Sequence, residues 1–209
     1  MNLKHKILCA KWKIILVFYV LACVLTYTFT QFPNLIKQLW VFVTGLEVSF
    51  SWNHGLGLFL ATIICYLVFK GKYSTSFLGN KPFKSMLVAG SYLLCYSLFG
   101  LSNSFNINEH FWAFIFCASM LTYNIFEETA WRGFLHDQLG EIPAWAKGIV
   151  TGVLWGLWHI LIFKDFSQFG GLAYFVLLSI GISIIMACGK KDQCHIGSSF
   201  HTRTVDFKE

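Results

Sequence analysis

The chain alternates long apolar stretches with short polar connections. Six stretches contain no Asp, Glu, Lys or Arg; they cover residues 14–36, 48–69, 85–108, 111–126, 148–163 and 166–189. Because a charged side chain is costly in hydrocarbon and a helix needs about 20 residues to cross a bilayer, these stretches predict membrane-spanning helices. The fourth and fifth stretches are too short to cross without polar neighbours, so ionisable groups are expected within or close to the membrane there.

Extending the two short stretches predicts helices from about 111 to 139 and from about 145 to 165. Residues 38–50 carry aromatic and aliphatic side chains around one Glu, which predicts an amphipathic segment along the outer membrane interface. The predicted fold is all-α, a polytopic transmembrane helical bundle of about six spans. Residues 1–209 are expected to form a single integral membrane domain, with its catalytic-type core at about 85–189.

Composition agrees with this pattern and narrows the function. The chain is 56% hydrophobic and 12% charged, with a mean hydropathy of +0.60, which excludes a disordered or fibrous polar protein. Its net charge is +6, but the basic residues lie between apolar runs and form no patch, so nucleic acid is not an expected partner. The expected partners are membrane lipid and a peptide or protein substrate in or at the membrane.

The positions of the lysines predict the orientation of the spans. If the chain crosses the membrane six times, eleven lysines lie on the same side of the membrane: Lys4, Lys6, Lys11, Lys13, Lys70, Lys72, Lys81, Lys84, Lys147, Lys190 and Lys191. Lys37 and Lys164 then lie on the other side. Because basic connections stay in the cytoplasm, the N-terminus is predicted to be cytoplasmic. The expected location is a bacterial plasma membrane.

The seven cysteines are scattered through mostly apolar stretches and include no C-x-x-C pair. A disulfide framework or a zinc site built on thiolates would need clustered cysteines. The cysteines are therefore interpreted as small apolar side chains.

The most informative polar motif runs from Phe126 to Leu135 and contains two adjacent carboxylates followed by an arginine. On a helix, Glu128 and Arg132 share a face, whereas Glu127 points about 100° away from Glu128 around the axis. One carboxylate can therefore be structural while the other is reactive. An ordinary interfacial charge cluster is the alternative, but the position inside a short span favours a functional site.

A single histidine interrupts the next apolar helix. His159 follows Trp155 by one turn, and Gly148, Gly152 and Gly156 recur every fourth residue, which predicts close packing of another helix. With the two extended helices above, Glu127 and His159 both fall near the middle of the membrane. A carboxylate and an imidazole at one level are candidates for an acid and base pair.

These residues resemble the CPBP intramembrane proteases, which include the type II CAAX prenyl endopeptidases and bacterial proteins linked to bacteriocin processing and immunity. The resemblance rests on Glu127-Glu128-x-x-x-Arg132-Gly133 and on His159 with an aromatic four residues before it, and it covers about 85–189. The family has Phe at that aromatic position, where this chain has Trp155.

The resemblance implies that Glu127 activates a water for attack on a peptide carbonyl, with His159 as its partner in polarising the water and moving protons. Glu128 and Arg132 would organise the site through their one-turn pairing. Metalloprotease chemistry with a divalent metal such as zinc is an open alternative, but one His and two Glu on separate helices lack dependable metal-ligand spacing. Metal-free activation of water by Glu and His is therefore preferred.

The C-terminal part departs from the family, whose members carry a further His-x-x-x-Asn that supplies an oxyanion stabiliser. The best candidate here is His201, although Val205 holds the Asn position, and His195 fits less well. Residues 190–209 are too rich in ionisable side chains to span lipid, so a truncated or altered C-terminus is expected.

Three functions are compatible with these features. The first is an intramembrane endopeptidase, and the second is a non-catalytic membrane protein of the same scaffold in bacteriocin self-immunity or in regulation of a membrane partner. A transporter or proton channel ranks last because no paired halves are visible. His54, beside Trp52 and Asn53 at the start of the second span, is interpreted as an interface anchor.

Overall fold

A computed structural model describes residues 3–32, 37–38, 41–42, 45, 52–69 and 82–189. The α-helices in these ranges are α1 (Leu3–Cys9), α2 (Trp12–Thr30), α3 (Asn53–Val68), α4 (Pro82–Phe99), α5 (Glu109–Glu128), α6 (Leu135–Leu139), α7 (Ala144–Trp158) and α8 (Leu172–Cys188). A π-helical turn at Thr129–Phe134 joins α5 to α6, and a 3-10 turn at His159–Leu161 extends α7. A second 3-10 turn covers Ser167–Phe169. All regular structure in the described ranges is helical, which confirms the all-α part of the predicted fold class.

Local sequence explains where α5 and its continuation begin and end. The Asn108 side chain caps the first turn of α5, accepting hydrogen bonds from the backbone N–H groups of His110 and Phe111 at 3.1 and 3.2 Å. At the far end, Gly140 adopts φ +59°, a conformation that glycine adopts without strain, and helix α6 stops there. The helical run of 109–139 therefore closely matches the one predicted from about 111 to 139.

Helices α7 and α8 pack closely because glycine lines their contact. A Cβ atom at Gly148 would lie 2.6 Å from the Ile184 Cα, and one at Gly152 would lie 2.4 Å from the Ile180 Cα. These distances leave no room for any side chain. The predicted stripe of small residues is confirmed, and its partner is α8.

The buried core lies between α2, α3 and the π-helical turn, and aromatic rings dominate it. Phe18 on α2 contacts Trp131 edge-on, with ring centroids 5.9 Å apart, and Trp131 contacts Trp158 at 5.7 Å. All three side chains are fully buried. This aromatic cluster fixes the position of the π-helical turn against α2 and the end of α7.

Several predicted spans are longer than the observed helices. Helix α4 ends at Phe99, before the stretch 85–108 does, because Gly100 has φ +76° and Asn103 organises a turn by accepting hydrogen bonds from the backbone of Phe105 and Ile107. Helix α8 begins only at Leu172, since Gly170 and Gly171 have φ of +79° and +103°. The length of an uninterrupted apolar stretch is thus an upper limit on the length of the helix, and turns at glycine and Asn residues determine where the helix begins and ends.

Among the described helices, α2 is long and apolar enough to cross a membrane. The apolar helices Asn53–Val68, Met86–Phe99 and Leu172–Cys188 are shorter. Outward-facing positions on these helices are nevertheless apolar: Leu16, Val20, Val24, Leu87, Leu94, Leu98, Leu177 and Ile185 are exposed. Most of the predicted interfacial segment at 38–50 and the whole tail at 190–209 lie outside the described residues.

The α7–α8 contact gives a test of the packing. Replacing Gly152 with Leu should lower the free energy of unfolding by about 3 kcal/mol or prevent insertion, because the new side chain would meet the α8 backbone. Gly181→Ala is the matched control, since a Cβ there meets no atom within 4 Å. Thermal unfolding in detergent, followed by tryptophan fluorescence, measures both; equal melting temperatures would contradict the close packing.

Candidate active site

Glu127 lies at the end of α5 with 6% of its surface exposed. Both carboxylate oxygens have partners from the protein: the Tyr123 hydroxyl donates to Oε1, and the Trp155 indole Nε1–H donates to Oε2 at 3.0 Å. Tyr123 precedes Glu127 by one helical turn, so the two side chains share a face of α5. A buried carboxylate needs such donors to offset the loss of water, and these two fix its orientation.

Trp155 on α7 connects three parts of the site. Its indole N–H reaches Glu127, its ring lies 4.9 Å below the Arg132 guanidinium carbon, and its backbone carbonyl pairs with His159. The sequence interpretation treated Trp155 as an aromatic exchange for Phe. The structure gives the exchange a chemical consequence, because Phe has no N–H to donate to Glu127.

His159 follows α7 directly, in the 3-10 turn, and 7% of its surface is exposed. Its Nδ1 lies 2.7 Å from the Trp155 carbonyl oxygen, and because a carbonyl only accepts, Nδ1 is the protonated nitrogen. In the neutral ring Nε2 then carries the lone pair, the form that can take a proton. Four aromatic rings surround the imidazole with centroids 5.1–5.3 Å away: Trp155, Trp158, Phe163 and Phe175.

Glu128 and Arg132 form the predicted one-turn ion pair, with Oε1 and a guanidinium nitrogen 3.0 Å apart. The other terminal nitrogen of Arg132 donates to the Ser183 hydroxyl on α8 at 3.1 Å. Since the guanidinium also stacks on Trp155, Arg132 joins the π-helical turn to both α7 and α8. The predicted pairing of Glu128 with Arg132 is confirmed, while Glu127 has other hydrogen-bond partners.

His54, which the sequence analysis interpreted as an interface anchor, lies beside the candidate site. Its Nε2 lies 2.7 Å from the Tyr123 hydroxyl, and its ring contacts Trp158 with centroids 5.9 Å apart. The interpretation of His54 as an interface anchor is therefore incomplete, since the start of α3 faces Tyr123 and Trp158. Tyr123 could have been found from its one-turn spacing to Glu127, but no local pattern links His54 to either.

Two further predictions concern the C-terminal histidines and a possible metal site. His201 lies outside the described residues, as do His195 and Val205. Within the described ranges, no three His, Cys, Asp or Glu side chains are grouped so that they could hold a metal ion. The described residues therefore do not fit a bound zinc.

Arg132 gives a prediction about stability that does not depend on activity. Arg132→Leu should lower the free energy of unfolding by about 2 kcal/mol, because it removes the ion pair with Glu128, the hydrogen bond to Ser183 and the contact with the Trp155 ring. This value allows for the partial exposure of Glu128, since solvent weakens the ion pair. Ser183→Ala removes a single hydrogen bond and should cost about 1 kcal/mol. Chemical denaturation in detergent measures both, and equal losses would show that Ser183 is the main partner of Arg132.

Comparison with known proteins agrees with the motifs. Residues 108–191 match the family model described as type II CAAX prenyl endopeptidase Rce1-like. Searches of curated proteins and of solved structures gave no match. The matched segment contains Glu127, Glu128, Arg132 and His159 and starts later than the predicted core at 85–189. At the level of the family, the match implies a membrane protein with CAAX protease-type function. The resemblance inferred from the motifs is confirmed for this segment: residues 108–191 are similar to the type II CAAX prenyl endopeptidase Rce1-like family.

Proposed function

We propose that this protein is an intramembrane endopeptidase that hydrolyses a peptide bond in a membrane-associated peptide or protein. The observation that carries the proposal is the Glu127 carboxylate, which is buried, held at both oxygens by neutral donors and located within the Rce1-like segment. Neutral donors orient a carboxylate without cancelling its charge. Such a group is suited to general base catalysis.

In the proposed reaction, Glu127 takes a proton from a water molecule as the water oxygen attacks the peptide carbonyl carbon. Each carboxylate oxygen has two lone pairs, and Tyr123 and Trp155 each donate to one of them. A second lone pair on each oxygen can therefore accept that proton. The tetrahedral intermediate then collapses, the C–N bond breaks, and the proton held by Glu127 passes to the leaving nitrogen. Two products result, a new carboxyl terminus and a new amino terminus.

His159 is the proposed partner of Glu127. With Nδ1 donating to the Trp155 carbonyl, its Nε2 can accept a hydrogen bond from the attacking water and polarise it. Glu128 and Arg132 are proposed to maintain the arrangement of α5, α7 and α8 around the site. His201 remains the proposed stabiliser of the oxyanion, from the tail that the structure does not describe.

The membrane placement is also a proposal. A single integral membrane domain at 1–209 with about six spans, a cytoplasmic N-terminus and a bacterial plasma membrane is supported by two features. These are the distribution of lysines between apolar stretches and the exposed aliphatic side chains of α2, α4 and α8. The proposed partners are membrane lipid and a peptide or protein segment that reaches the site from the membrane.

Glu127→Gln should abolish cleavage, with a loss of at least about a thousandfold, because the amide cannot take the proton from water. Glu109→Gln is the matched control, since Glu109 is exposed in the first turn of α5 and should leave cleavage unchanged. The measurement is cleavage of a membrane peptide mixture by purified protein in liposomes, with protein abundance matched. Cleavage by Glu127→Gln at the wild-type rate would contradict the proposal.

Trp155→Phe should lower kcat by about tenfold while KM stays near its wild-type value, because one donor to the carboxylate is lost while the ring remains. The comparison is useful because Phe is the residue that the family resemblance predicts at this position. Steady-state kinetics on the same peptide measure the split between kcat and KM. An unchanged kcat would mean that the indole N–H does not contribute to positioning Glu127.

A non-catalytic scaffold, acting in bacteriocin self-immunity or in regulation of a membrane partner, is the second candidate. It is favoured by Val205, which stands where the family carries Asn. If this is the function, the wild-type protein cleaves no peptide. Host cells that contain Glu127→Gln at the same abundance as the wild-type protein then keep the wild-type phenotype. The cleavage experiment and this phenotype separate the two functions.

A further inference from the structure

The hydrogen-bond chain that reaches Glu127 begins on α3, outside the segment that matches the family model. Nε2 of His54 lies 2.7 Å from the Tyr123 hydroxyl, and that hydroxyl donates to Oε1 of Glu127. The two rings also contact each other edge-on, with centroids 5.1 Å apart. Thus two side chains outside the Glu-Glu-Arg motif act in series on one oxygen of the carboxylate.

The number of protons available determines which groups donate and which accept in this series of hydrogen bonds. A phenol has one proton, and when it donates that proton to the Glu127 carboxylate, its oxygen can only accept from His54. His54 therefore donates from Nε2–H. A hydroxyl that accepts one hydrogen bond becomes a stronger donor in the next, so His54 strengthens the hold of Tyr123 on Glu127.

Packing holds both members of this chain in place. The backbone carbonyl of His54 accepts from the Thr26 hydroxyl at 3.3 Å, and that hydroxyl in turn accepts from the Trp158 indole N–H at 3.0 Å. Gly55 makes space for the phenol: a Cβ atom there would lie 2.7 Å from the Tyr123 ring. The start of α3 is thus fixed to α2 and α7, and its shape fits the Tyr123 side chain.

We infer that His54 and Tyr123 are positioning residues for Glu127, so that α3, outside the Rce1-like segment, supplies part of the active site. His54 acts only through Tyr123, and Tyr123 acts on Oε1 of the carboxylate. Trp155 holds the other oxygen, so the carboxylate is fixed from α3 and α7 together. This inference rests on the proposed function of Glu127 as the general base.

The activity test uses Tyr123→Phe, His54→Leu and their double variant, with His54→Gln as the conservative replacement. Each single change should lower kcat about tenfold with little change in KM, and the double variant should be no worse than Tyr123→Phe because His54 acts through the phenol. His54→Gln should recover most of the activity, since its amide N–H can donate to the hydroxyl. Tyr174→Phe, an exposed position on α8, is the control and should match wild type.

A wild-type kcat in Tyr123→Phe, additive losses in the double variant, or no recovery with Gln would each overturn the inference. Melting temperatures accompany every variant. If Tyr123→Phe does not fold, Gly55→Ala provides a second route, because the added methyl group displaces the phenol ring while all hydrogen-bonding groups stay present. It should lower kcat in the same way, and an unchanged kcat would count against the inference.

An infrared measurement separates this inference from the proposed function. The carboxylate band of Glu127, identified by its loss in Glu127→Gln, should shift in Tyr123→Phe and in His54→Leu but return to its wild-type position in His54→Gln. If wild type cleaves no peptide, the proposed function fails, while these shifts still support the positioning chain. If the band does not move in Tyr123→Phe or His54→Leu, the positioning chain fails even when wild type is an active protease.

Discussion

Burial of the Glu127 carboxylate is the constraint on which the rest of the site depends. A carboxylate removed from water is strongly destabilised unless donors replace the lost solvent. Here both donors are amphipathic aromatic side chains, Tyr123 and Trp155, which bury their rings while their polar atoms face the carboxylate. The surrounding packing can therefore remain largely aromatic up to the carboxylate itself.

The segment directly after Glu127 and Glu128 leaves regular α-helical geometry. The π-helical turn at Thr129–Phe134 places the Arg132 guanidinium between Glu128, Ser183 and the Trp155 ring, while Trp131 is buried against Phe18 and Trp158. Wide turns of this kind are frequent at functional sites. The turn thus directs the charge of Arg132 to Glu128, while both hydrogen bonds to Glu127 come from neutral side chains.

Local periodicity predicted one pair on α5 and its continuation and the contact between α7 and α8, but the Tyr123–Glu127 pair, also one turn apart on α5, was not predicted. The Glu128–Arg132 pair follows from four-residue spacing, and the packing of Gly152 against α8 follows from the repeat of glycines. Contacts between distant segments left no such signal: His54 and Tyr123 are 69 residues apart, and His54 resembled an ordinary interface residue. The indole N–H of Trp155 was equally hidden, because hydrophobic pattern treats Trp and Phe alike. Helix ends at Gly100 and Gly170 depended on backbone conformations that apolar stretches do not record.

The central claim is that water, activated at Glu127, cleaves a peptide bond. Its most direct test is incubation of the purified protein in liposomes with a defined mixture of membrane peptides in ¹⁸O-labelled water, followed by mass spectrometry of the products. The account predicts new peptide carboxyl termini that carry one ¹⁸O atom from the solvent. An absence of new termini, or termini without the label, would contradict it.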